Sequence, residues 1–303
     1  MWCRHGRRRV IHAPAFRSLT RPRPPPIRKT ILSFTLDRNS WSTALERGDM
    51  GRSYDAYFSS GVYLSRYPRP NRRTLRLLDR LLPVGGRLLD YGAGEGRYCF
   101  DLAHRRNAEV LAVDISAVAR QHLRAASSAM GIAGRVEVCD ADDETYRRAL
   151  AQGGFDVALL GFGVLGHVAG RRSRIELLAQ LRHALAPEGR LVLGLPNAAR
   201  RFRARQRACR PLIAEGALEP GDIRYERPLE QGAIPLFYHL FTGAEIRRDL
   251  AEAGFAIEWL TSESLLPESA VTHSRLLGLL DDGACALAPA RFGYGFLVTA
   301  RAL

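Results

Sequence analysis

The sequence predicts an α/β protein: a doubly wound, mostly parallel sheet with helices on both faces. Three observations predict it. From Asn71 onward, short apolar runs alternate with helical stretches, the first such run ends in a glycine-rich turn, and the next two end in an aspartate. Strands buried on both faces read as continuous apolar runs, and helices that alternate with them make parallel neighbours.

The elements follow in order. Asn71 caps a helix whose Leu75, Leu78 and Leu82 share one face, and Pro83 with Gly85-Gly86 ends it. Strands are expected at 87–91, 109–114, 135–139, 155–161 and 190–195, and helices near 97–106, 117–130, 144–152 and 173–185. After Pro196 the rhythm gives way to an Arg-rich insertion at about 198–235. A helix at 243–253, a strand at 255–260 and a last strand at 293–300 complete a seven-stranded set.

Composition narrows the function. The chain has 303 residues, 46% of them hydrophobic, enough for one substantial core. The most apolar segment, 158–169, is broken by three glycines and His167, well short of the roughly 18 uninterrupted apolar residues of a membrane helix. The five cysteines are scattered, with no metal-ligand spacing, so no metal is expected and a cytoplasmic setting suits them. The net charge is +14, but residues 1–49 hold ten arginines and Lys29 against Asp37, Glu46 and Asp49, so +8 of it lies in a tail. Because Lys29 is the sole lysine, the arginine content reads as codon bias before it reads as phosphate binding. The Pro/Arg-rich tail lacks a periodic apolar face and is expected to be disordered. It reads either as a transit peptide or as sequence ahead of a translation start at Met50, the preferred reading, with the folded domain at 50–303.

The informative segment is Leu88-Leu89-Asp90-Tyr91-Gly92-Ala93-Gly94-Glu95-Gly96-Arg97, a strand running into a glycine turn and a helix. Such a turn lets a ligand approach bare backbone. A dinucleotide fingerprint would put its third glycine where Arg97 stands, and Asp90 would repel a pyrophosphate, which disfavours a nicotinamide oxidoreductase. The same carboxylate suits a ligand that carries an ammonium and a sulfonium. Asp114 ends the second strand, where a carboxylate can accept both ribose hydroxyls of an adenosine. Asp140 ends the third, where it can accept from an adenine amino group while the Ala141 amide reaches a ring nitrogen. Each acid alone also reads as a helix cap or a solvated turn; the set in this order carries the argument.

Together these residues resemble the class I S-adenosylmethionine-dependent methyltransferases, over about Thr74 to Leu303. The resemblance implies a Rossmann-like fold with an antiparallel last strand, S-adenosylmethionine as cofactor, and cofactor contacts at Asp90, Gly92, Ala93, Gly94, Asp114, Ile115, Asp140 and Ala141.

The acceptor is less legible. His167, just past the fourth strand, lies where such enzymes present the reacting methyl. With an ordinary pKa of about 6.5 it is a candidate general base, or else a structural histidine bonded to a loop. The run Pro235-Leu236-Phe237-Tyr238-His239-Leu240-Phe241 has too many aromatics for a connecting loop, so Tyr238 and His239 are candidates to line an acceptor pocket, or to pack on the helix that follows. This run, Tyr98 and the Val164-to-Val168 stretch also resemble tRNA wobble-uridine carboxymethyl methyltransferases, although Gly166 stands where those enzymes carry a second histidine. Arg200, Arg201, Arg203, Arg205, Arg207 and Arg210 are six arginines in eleven residues, able to bind phosphates or to form a solvated helix face. The leading expectation is a small-molecule acceptor, with RNA second and a non-catalytic S-adenosylmethionine-binding protein third.

Overall fold

The computed structural model describes residues 47–229 and 232–303. The tail at 1–46, with the expectations about its disorder and about where translation starts, lies outside them.

Two helices, α1 (Arg47–Ser59) and α2 (Val62–Arg66), precede α3 (Arg72–Leu81), which is capped as expected by the Asn71 side chain on the Arg73 and Thr74 amides. The alternation then runs β1 (Arg87–Tyr91), α4 (Cys99–Arg105), β2 (Glu109–Val113), α5 (Ala117–Ala129), β3 (Val136–Cys139), α6 (Glu144–Gln152), β4 (Phe155–Leu160), α7 (Arg171–Ala184) and β5 (Leu185–Pro196). The insertion folds as α8 (Arg203–Ala214) and a separate antiparallel hairpin, β6 (Asp222–Leu229) with β7 (Gly232–His239). The chain closes with α9 (Gly243–Glu252), β8 (Phe255–Ser264), α10 (Glu268–His273), α11 (Arg275–Leu287) and β9 (Gly295–Ala302).

The main sheet has seven strands in the order β3-β2-β1-β4-β5-β9-β8, and only β9 runs against its neighbours. Adjacent residues enter opposite layers. Leu88, Val110, Leu159, Val192 and Leu297 pack on one face, while Leu89, Leu111, Leu160, Leu193 and Val298 pack on the other. The strand order reverses between β1 and β4, and a crevice opens beyond the carboxyl ends of strands at such a switch point. Over it lies a third apolar cluster, in which Met50 and Tyr57 of α1 meet Cys209 of α8, Ile223 of β6 and Leu236 of β7. No helix among the described residues is long and apolar enough to cross a membrane.

Candidate functional site

A cavity of about 760 Å³ runs from the strand tips to the insertion. At the strand tips, β1 feeds the turn in which Gly92 and Gly94 hold φ of 81° and 58°. A Cβ on Gly92 would lie 2.4 Å from Cγ2 of Val164, so both the backbone and the space demand glycine. The Gly92 and Ala93 amides donate to the Val113 carbonyl at 2.7 and 3.0 Å, tying the turn to the end of β2. There Asp114 accepts from the Gly94 amide at 2.8 Å and the Ser116 amide at 2.9 Å. Ser116, not Asp114, caps α5. Burial pushes the Asp114 carboxyl up to about 6 against those two amides, which favour its charged form. Asp114 faces the cavity beside Tyr91, Gly92, Gly94, Ile115, Ala141, Asp142 and Tyr146.

The roof of the cavity is aromatic, and it reaches the glycine turn, where a Cβ on Gly94 would lie 3.5 Å from the Phe58 ring. Helix α1 presents Tyr54, Tyr57 and Phe58, three and four residues apart and so on one face, and α2 adds Tyr63. Asp55 fastens this roof by accepting from Ser116 Oγ at 2.6 Å and the Val118 amide at 3.1 Å. Below it, His167 stacks on Tyr238 with ring centroids 4.4 Å apart. His167 Nδ1 lies 2.8 Å from the Phe237 carbonyl oxygen and Nε2 lies 2.8 Å from Tyr54 Oη. A carbonyl only accepts, so Nδ1 carries the proton and Nε2 accepts from the Tyr54 hydroxyl. Burial, with the fields of Arg227 and Arg201, lowers the His167 pKa to about 4 and keeps the ring neutral. Phe162, two residues beyond β4, has φ of 58°, a left-handed conformation costly for a bulky side chain and characteristic of functional sites. Glu263 and Glu268 complete the wall, and burial pushes Glu263 up to about 8, with repulsion from Glu268 adding to it.

A family described as methyltransferase domain matches residues 63–259. The chain belongs to the class I S-adenosylmethionine-dependent methyltransferases. Solved structures share the fold: an S-adenosylmethionine-dependent methyltransferase of Methanosarcina mazei (TM-score 0.55, 20% identity, 75% of this chain and 97% of that one) and the CcbJ methyltransferase of Streptomyces caelestis (0.54, 18%, 77% and 90%). A third is the glycopeptide N-methyltransferase MtfA complexed with sinefungin (0.50, 18%, 78% and 87%). No curated protein sequence matches.

In this methyltransferase the sequence-derived residues divide. Gly92, Gly94, Asp114, Ile115, Ala141, His167 and Tyr238 all face the one cavity, and Ala93 lies buried within the glycine turn. Three others do not reach it. Asp90 is 2% exposed beneath the turn, because strand alternation turns it toward Cys99 and leaves Tyr91 to face the cavity; burial and the Asp114 charge raise it to about 7. Asp140 accepts from Arg120 at 2.7 Å and from the Asp142 amide at 3.2 Å, so Asp142 takes the place in the wall that was expected of Asp140. His239, next to Tyr238 on β7, necessarily points the other way. It is fully buried between Asp222 at 2.6 Å and Glu245 at 2.8 Å, and Arg174 pairs with Glu219 beside them at 2.9 Å. At Gly166 a Cβ would lie 2.7 Å from the His239 carbonyl oxygen, so the second histidine of the tRNA enzymes has no room here. Sequence reasoning missed the α1 and α2 roof, although the Tyr54, Tyr57, Phe58 spacing was there to read. Of the six clustered arginines, Arg203, Arg205, Arg207 and Arg210 are solvated on α8, and only Arg201 turns into the cavity.

Proposed function

We propose that this methyltransferase moves a methyl group to a small molecule held at the aromatic end of the cavity. The observation that carries the reading is continuity: the glycine turn with its acids and the tyrosine wall line a single cavity under the α1 and α2 roof. A cavity of about 760 Å³ is of the size that encloses small ligands. The residues suit the cofactor, since Gly92 and Gly94 bring bare backbone to the cavity wall and Asp114 turns a carboxylate toward it. Asp114 is assigned the ribose hydroxyls, Ala141 and Asp142 the adenine edge, and the backbone of Gly92 and Gly94 the amino-acid end.

When bound, S-adenosylmethionine supplies the methyl on a sulfonium. The protein's task is then in-line placement, for which a base is not obligatory. His167, with both ring nitrogens engaged and its pKa held low, acts on the acceptor through Tyr54, whose hydroxyl it orients. Tyr238 supplies the flat wall behind it. Cys99, Cys139, Cys209 and Cys285 are buried free thiols, in keeping with a cytoplasmic setting. RNA stays the second reading on the strength of the exposed Arg203, Arg205, Arg207 and Arg210.

Calorimetry with S-adenosylhomocysteine, followed by incubation of cell-extract fractions with methyl-labelled cofactor, tests the proposal. Label is expected in the metabolite fraction. Label in RNA, with a steep loss between low and moderate salt, transfers the assignment to RNA. Cofactor binding with no label in either fraction makes the protein a non-catalytic binder.

A further inference from the structure

Two partly buried arginines of the cavity wall have no counter-ion among the described residues. Arg201, just ahead of α8, donates to Tyr238 Oη at 3.4 Å, and its guanidinium lies 5.4 and 4.9 Å from the ring centres of Tyr238 and Tyr294. Arg227, on β6, donates to Tyr57 Oη at 2.7 Å and to Tyr225 Oη at 3.5 Å. Both side chains line the cavity, and the Nε of each is buried with no acceptor. Among the described residues no carboxylate oxygen comes within 4.0 Å of either guanidinium.

Two arginines outside the cavity wall do have acid partners. Buried Arg174 pairs with Glu219 at 2.9 Å, and Arg120 with Asp140 at 2.7 Å. The acids of the wall are engaged elsewhere: Glu263 accepts from the Thr74 hydroxyl at 2.8 Å and Glu268 from the Asn71 side-chain amide at 3.3 Å, and burial raises the pKa of both against the opposing charge of Arg201. The chain also spends strain on the arrangement: Phe202, between Arg201 and α8, holds φ of 52° while its ring packs 5.1 Å from Tyr225. A buried cation without a partner is costly to the free protein, and an anion that pairs with it recovers that cost through short, charge-assisted hydrogen bonds. Guanidinium forks suit the planar oxygens of a carboxylate or the oxygens of a phosphate, and flat tyrosine faces suit an aromatic ring.

We propose that the acceptor is a small aromatic anion whose carboxylate or phosphate is held by Arg201 and Arg227 while its ring lies against Tyr238, Tyr225 and Tyr57. The proposal rests on the small-molecule reading of this cavity and names the substrate class. The cofactor carries a carboxylate of its own, but the glycine turn has other neighbours: a Cβ on Gly94 would meet Phe58 and Tyr63 first.

The experiment uses the full chain saturated with S-adenosylhomocysteine and titrated calorimetrically with indole-3-acetate, benzoate and phenyl phosphate, each beside a neutral counterpart: indole-3-acetamide, benzamide and phenol. At least one anion is expected to bind tenfold or more tightly than its counterpart, and the ranking of carboxylates against phenyl phosphate tells which oxyanion the site takes. Arg201→Gln and Arg227→Gln are each expected to weaken that binding tenfold or more with the S-adenosylhomocysteine Kd unchanged, whereas Arg203→Gln on the exposed face of α8 changes neither. Equal or tighter binding of every neutral counterpart, or no anion binding at all, overturns the proposal on the wild-type protein alone, with no variant required to fold. A tenfold rise in the S-adenosylhomocysteine Kd of either glutamine variant overturns it as well, because the guanidinium then serves the cofactor. So does displacement of the bound anion by tRNA. Failure of the wild-type protein to bind S-adenosylhomocysteine is a separate result, and it is the cofactor assignment that then falls.

Discussion

The two ends of the cavity are held together by different kinds of bond. At the strand tips the fixed partner is backbone: Asp114 is set by the Gly94 and Ser116 amides, and the glycine turn by the Val113 carbonyl. At the insertion end, side chains hold side chains: His167 with Tyr54, Arg227 with Tyr57, and His239 with Asp222 and Glu245. Backbone contacts follow from the fold and persist through many sequences. Side-chain contacts change with one substitution. The cofactor end is therefore common property of the fold, and the acceptor end is where this chain becomes particular.

If that division is right, breaking the insertion end should cost stability and leave the cofactor end intact. His239→Gln is the most severe case. Both ring nitrogens face carboxylates, so the imidazole donates from both, and although burial lowers its pKa the hydrogen bonds it gives to Asp222 and Glu245 raise it overall. Removing one partner of a buried ionic network costs about 3–5 kcal/mol, expected as a lower Tm in scanning calorimetry with little change in S-adenosylhomocysteine Kd. Because the folded pKa is raised, the histidine's contribution is full below its unfolded value of about 6.5 and fades as pH rises through the folded value. The stability gap between wild type and variant should therefore narrow in alkali. A gap that widens there, or a cofactor Kd that moves with the Tm, would join the two ends again.

The converse test acts on the cofactor end. Asp114→Asn removes charge-assisted bonds worth about 1.5–3 kcal/mol each, so the S-adenosylhomocysteine Kd should rise at least about tenfold. Asp140→Asn loses its pairing with Arg120, 2.7 Å away at a partly exposed site outside the cavity, and should change the Kd by less than about threefold. Equal losses in calorimetry would return Asp140 to the cofactor contacts.

The same division explains what the sequence disclosed. Strands and the glycine turn were legible because burial on both faces and positive φ leave few residue choices, and the helix at Glu144–Gln152 was read at its observed bounds. The direction of side chains was legible in principle but was not used. Alternation along β1 puts Tyr91 rather than Asp90 in the cavity, and alternation along β7 puts Tyr238 there rather than His239. The β6 and β7 hairpin was hidden by Pro228 and Pro235, which argue against strands, within what read only as an Arg-rich insertion. The aromatic spacing of α1 was legible, but its place over the cavity was not: it docks on Ser116 and His167 through contacts 61 and 113 residues apart in sequence, which no local pattern reports.

The last effect lies within the insertion end, at Tyr54 and His167. Tyr54→Phe leaves a buried imidazole nitrogen without its donor, a loss of about 1–3 kcal/mol in stability, and it removes the one hydroxyl that His167 positions. Turnover should fall about tenfold, within the range for a single positioned proton-transfer group, with the cofactor Kd untouched. The pH dependence separates positioning from base catalysis. His167 is held at about 4, below the ordinary histidine value, so its neutral form is favoured by folding. Its contribution to stability is full above about pH 6.5 and is lost as pH falls from there toward 4. Across pH 6 to 9 the ring does not titrate, and kcat/KM should show no inflection near 6.5 that belongs to it. An inflection there that disappears in His167→Gln would make the imidazole a titrating base in the free enzyme, and Tyr54 would then be its relay instead of the group it orients.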